Sequence, residues 1–97
     1  MKGFKGTPGP WFGDNSRAIG PKSTEDDQSY GMIIPVGWVE FDPEVEVQVA
    51  NQQMMAAAPE LLEALEMLVV FTTPTKRNAT ALSKAYAAIA KAIGESQ

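Results

Sequence analysis

The chain has 97 residues, 44% hydrophobic and 21% charged, with a net charge of -4 and neither cysteine nor histidine. That length and balance suit a single folded domain with a modest core. The missing residue types exclude disulfides, thiol catalysis, a histidine base and a histidine or cysteine zinc site.

Residues 1–9 read as a flexible N-terminus. Met1 to Gly6 is charged and glycine-rich, without the apolar stretch of a signal peptide. Met67 to Phe71 is a short apolar run, far below the roughly 18 residues of a membrane span. A cytoplasmic protein that avoids membranes is expected. Its cations are scattered, which argues against binding a nucleic-acid polymer.

Thr7-Pro8-Gly9-Pro10-Trp11 is stiff, because two prolines fix φ and a glycine allows a tight turn. Trp11-Phe12 opens a short strand, Gly13 to Ser16 has turn chemistry, and Arg17 to Ile19 forms a return strand. Residues 20–29 read as the least constrained loop. Tyr30, Met32, Ile34, Val36 and Trp38 alternate on one strand face. Pro35 lacks an N–H, so this strand is bent or broken, or turns into a hairpin. Residues 10–41 form a β meander of two to four strands.

Residues 43–94 form the helical part. Asp42 suits a helix cap, Pro43 the first helical position, and Glu44 and Glu46 the positive end of the helix dipole. Val45, Val47 and Val49 also alternate, so a strand over 44–49 competes. Pro59 removes one helical hydrogen bond and bends or breaks the helix near Ala58. Leu61, Leu62, Leu65, Leu68 and Val69 continue an apolar surface, with Glu60, Glu63 and Glu66 outward. Thr72 to Thr75 stops this helix. Asn78 caps the last one, which carries Leu82, Tyr86, Ile89 and Ile93 and ends at Gly94. The short connection makes these helices antiparallel neighbours. The fold class is therefore α+β, one domain over 1–97.

Three segments also carry a resemblance. They are Thr7-Pro8-Gly9-Pro10-Trp11, Ala50-Asn51 with Ala56-Ala57-Ala58-Pro59-Glu60-Leu61-Leu62-Glu63-Ala64-Leu65, and Ala88 to Glu95. In this order the chain resembles a group of small phage and prophage proteins. It departs from them at Gln52-Gln53-Met54-Met55, where they usually have small and aliphatic residues. The resemblance implies a β meander followed by a helical hairpin, a phage setting and action in the bacterial cytoplasm. It supplies no catalytic motif.

The acidic run Glu25-Asp26-Asp27 lacks the spacing of a calcium loop, and nothing apolar surrounds the helix glutamates to raise a carboxyl pKa. No catalytic residue, metal or cofactor is assigned, and binding is expected in place of catalysis. Five residues are candidates for a ligand site. Trp11 could stack on a nucleotide or pack the meander. Arg17 and Lys22 could hold phosphate or remain surface charges. Asn51 could bond the meander backbone or a ligand, and Met55 could meet a partner or fill the core. By analogy with the phage setting, the expected function is counter-defence. An oligomer joined through its helices would sequester a host nucleotide immune signal. The alternative is an interaction module that blocks a host or phage protein.

Overall fold

A computed structural model describes residues 4–26 and 28–95. The order is β1 (Phe12–Gly13), β2 (Ala18–Gly20), β3 (Gly37–Trp38), α1 (Val45–Ala56), α2 (Ala58–Phe71) and α3 (Ala79–Ala92). A three-stranded antiparallel sheet is thus followed by three helices, an α+β fold as expected. The chain divides into two compact units, a sheet unit over 7–60 and a helical unit that takes in 4–6 and 61–95. Residues 1–3 of the expected flexible N-terminus lie outside the described residues, as do Asp27, Ser96 and Gln97.

In the sheet unit β2 is central, pairing Phe12 with Gly20 on one side and Ala18 with Trp38 on the other. All three β2 residues are buried, and Ile19 is only 1% exposed. The turn before β2 is tied by Asp14, whose Oδ1 accepts the Ser16 N–H at 2.8 Å. It ends on Arg17, which adopts φ 69°. Arg17 therefore belongs to the turn, where the sequence placed it in the strand. Such a φ is uncommon outside glycine, Asn and Asp.

The segment after the loop returns along β2, but its register slips. Lys22 bridges Ile33, whereas Ile19 faces Gly37. Ile19 also accepts the Val36 N–H at 2.8 Å, so Val36 and Gly37 both oppose it. Two residues against one is a β-bulge. Pro35 lies directly before it, between the Ile34 N–H, which bonds Pro21 O, and the Val36 N–H, which bonds Ile19 O of β2. The missing proline donor thus falls at an interruption of the ladder, and the strand is broken as expected. The loop expected to be least constrained is pinned. Ser23 is buried, donates its N–H to Met32 at 2.7 Å, and shares a 3.1 Å hydroxyl contact with Ser29.

The segment from Val45 is helical, which decides against the competing strand. It begins two residues after Pro43, because Asp42 accepts the Glu44 N–H at 2.8 Å in a turn of its own and Glu44 takes the cap position without a side-chain bond. Helix α1 packs on β1 and β2, and its least exposed positions are Gln48, Gln52, Ala56 and the adjoining Ala57. The docking is polar. Gln52 Nε2 donates to Asp14 O at 2.8 Å and to Ala18 O at 3.1 Å. Gln52→Ala strips both carbonyls of this donor, and a loss of about 1–3 kcal/mol is expected in urea denaturation. Asn51→Ala, one residue away and exposed, is expected to change stability by less than about 0.5 kcal/mol.

Ala57 interrupts the helical run, so Pro59 sits in the first turn of α2, where its missing N–H costs no helical bond. Pro59 is buried, and a Cβ on Gly9 would come within 2.7 Å of it. The Pro8-Gly9-Pro10 turn thus lies against the start of α2 within the sheet unit.

In the helical unit, Leu62 is buried and Leu65 and Val69 are half-buried, a spacing that marks one shielded stripe of α2. On α3 the least exposed residues are Leu82, Ala85, Ile89, Ala90 and Ile93. Asn78 precedes α3 as expected, but its side chain serves the preceding turn, with Oδ1 accepting Thr75 N–H and Nδ2 donating to Thr73 O. Helix α3 ends with Gly94 at φ 84°, its N–H donated to Lys91 O and that of Glu95 to Ala90 O. This pair of bonds is a Schellman cap, for which glycine is suited.

Candidate functional site

The alternating row picked out by the sequence is exposed throughout, but the bulge divides it: Lys22 pairs with Ile33 and Ala18 with Trp38, so Trp38 shares the side of Ile33 while Met32 and Ile34 lie on the other, and Tyr30 stands in the turn before them. Tyr30, Met32, Ile34, Val36 and Trp38 are between 44% and 69% exposed, while the intervening Ile33 is half-buried and Val39 buried. Alternation separates two faces and does not say which one is covered. Here Ile19 of β2 is covered, and the five large side chains of the row stay exposed on either side of the bulge.

Next to this row lies an open cleft of about 570 Å³, whose lining includes Asp14, Ser16, Lys22, Met32, Pro35 and Trp38. The Lys22 ammonium stands 4.5 Å from the centre of the Phe12 ring, a cation–π arrangement that orients it. The Ser16 hydroxyl and then the Ser16 N–H donate to Asp14, holding its carboxyl below the ordinary value of 3.8. The cleft therefore presents one ammonium, one ionised carboxylate and an exposed indole. It suits a ligand with a flat apolar part and few charges.

Of the five residues singled out from sequence, Lys22 lines this cleft and the other four do not. Trp11 is half-buried, and its indole Nε1 donates to Thr7 O at 3.2 Å, closing the proline-rich turn on itself. The Arg17 guanidinium donates to Val39 O at 3.4 Å. Asn51 and Met55 are exposed on α1. A smaller hollow of about 190 Å³ near them is lined by Gly13, Val49, Gln52, Gln53 and Ala56. Gln52 makes the backbone contacts considered for Asn51. Trp38 and Asp14 line the cleft and stand outside those five. Trp38 closes the alternating row, which was the available signal.

Among the described residues no group of three His, Cys, Asp or Glu side chains is placed to hold a metal ion. No described helix is long and apolar enough to cross a membrane. A protein-family model described as Salmonella phage P22 protein Y8K6 matches residues 1–96. No curated protein and no solved structure matches the chain.

Proposed function

The chain belongs to the family of Salmonella phage P22 protein Y8K6, and from that premise we propose that it acts by binding, as a module that engages a host or phage protein through the exposed apolar side chains of its sheet unit. One observation carries this reading: the exposed row Tyr30, Met32, Ile34, Val36 and Trp38. Aromatic and methionine side chains are enriched at the centres of protein interfaces, where they bury large area at little entropic cost. Strand β3 also lies at the sheet edge, so one side of its backbone is open to an added strand. Counter-defence, in which the blocked protein belongs to the host's immune machinery, is the biological form of this reading and follows by analogy from the phage family.

A second reading is a sponge for a host nucleotide signal, favoured by the Lys22 and Trp38 side chains on the cleft wall. An ammonium for phosphate and an indole for a base are the minimum such a ligand needs. It ranks below protein binding because the ionised Asp14 carboxylate lines the same cleft and Arg17 is turned to Val39.

The two readings separate in solution. Protein blocking predicts that the purified chain captures one defined host or phage protein, and that Met32→Ala with Trp38→Ala abolishes capture while the variant stays folded. Capture undiminished by that pair would remove the row from the interface. The sponge reading predicts a rise in melting temperature with cyclic or ADP-ribose-like nucleotides and recovery of the intact nucleotide after heating. A panel of such nucleotides without any shift would discard it.

A further inference from the structure

Helix α2 has a second apolar stripe beside the shielded one. Leu61, Ala64, Leu68 and Phe71 recur at the 3-4-3 spacing of a two-helix seam. Ala64 is exposed. The other three, with the adjoining Met67, are 52% to 81% exposed. We propose that this stripe is the interface with a second copy of the chain, two α2 helices pairing antiparallel about a two-fold axis near Glu66.

Area and charge select that occupant. At roughly 100–150 Å² for each half-to-four-fifths open side chain, the four large residues present on the order of 500 Å² of apolar surface. A standard interface takes about 800 Å² from each partner, of which about 60% is apolar. The stripe therefore supplies the apolar share of a dimer interface. The charges on α2 are Glu60, Glu63 and Glu66, all before its uncharged end, Met67 to Phe71, and its last turn has no basic residue. Parallel pairing sets the acidic N-terminal half, with Glu60 at the edge of the stripe, beside the same half of the second copy and aligns the helix dipoles. Antiparallel pairing sets each acidic half against an uncharged one and opposes the dipoles. It also places Leu61 against Phe71 of the second copy and Ala64 against its Leu68, large against large and small against large. The two-fold axis makes the contact self-complementary and closes it at two chains. This proposal is independent of what the sheet face binds.

The test is the mass of the full chain by sedimentation and native mass spectrometry. Wild type is expected to be dimeric, and Leu68→Glu and Phe71→Glu to give monomers with unchanged helical circular dichroism. Met54→Glu, exposed on α1, should stay dimeric. A monomeric wild type, or an assembly that survives both seam substitutions, overturns the proposal. Orientation is read from thiols, since the chain has no cysteine of its own. Leu61→Cys mixed with Phe71→Cys should form mixed disulfides faster than either variant cross-links to itself. Preferential Leu61→Cys self-linkage would establish parallel packing and overturn the antiparallel seam.

Discussion

Gly20→Ala is expected to destabilise the sheet unit by about 3–5 kcal/mol, among the larger costs seen for a single methyl group. Gly20 is buried in the central strand, and a Cβ built there would stand 2.0 Å from Ile34 O and 3.0 Å from Val36 N. Contacts below 3.0 Å do not occur for real Cβ atoms, so backbone must move. The backbone that would move carries the 2.7 Å bond from Ile34 N–H to Pro21 O and the 2.8 Å bond from Val36 N–H to Ile19 O. Both flank the bulge, where the ladder already has one residue to spare. Losing the second leaves the carbonyl of buried Ile19 without its donor. Urea unfolding followed by the fluorescence of Trp11 and Trp38 reports on this unit. Gly37→Ala is the matched control. It lies in β3, yet a Cβ there meets nothing within 4 Å, and its effect is expected to stay within about 0.5 kcal/mol. Equal losses from the two substitutions would refute the close-approach explanation.

Ile19→Ala is expected to cost about 2–5 kcal/mol by the same measurement, from lost transfer free energy and the cavity left behind. Among the described residues Ile19 is the largest side chain that is fully enclosed, and in the sheet unit its buried apolar companions are Ala18, Val39 and Pro59. A folded domain has a margin of about 5–15 kcal/mol, so this one side chain holds a sizeable part of it. Ile34→Ala is the informative contrast. It is the same residue type on the same ladder but 53% exposed, and its loss is expected to be below about 1 kcal/mol. If Ile34 proved as costly as Ile19, the outward row would be core, and its assignment as a binding face would fall.

The elements were largely legible in the sequence, because their signals are local. Asp14 to Ser16 gave a turn, Pro35 gave a break, Ala57 to Pro59 gave an interruption, and Gly94 gave a helix end. Each depends on φ preferences or on a missing N–H within a few residues. The candidate site was less legible. Trp11 and Arg17 were chosen for their chemistry, but one indole bonds Thr7 and one guanidinium bonds Val39, so both serve backbone carbonyls. Asn51 and Gln52 are equal candidates by type. Their positions on α1 turn Gln52 to the sheet and leave Asn51 outside.

The amino-acid sequence by itself determined the composition limits, the α+β order of elements, the places where strand and helix must break, and the two-sided patterns of the strand and of α2. Only the tertiary structure decided which side of each pattern is covered. Periodicity defines faces from a single segment's geometry, whereas burial depends on what packs against it. The one-residue slip at Ile19, which brings Val36 and Gly37 against the same partner, likewise belongs to a pairing between distant segments. That pairing leaves Met32, Ile34, Val36 and Trp38 exposed, and it puts Trp38 on the side of Lys22 and the cleft.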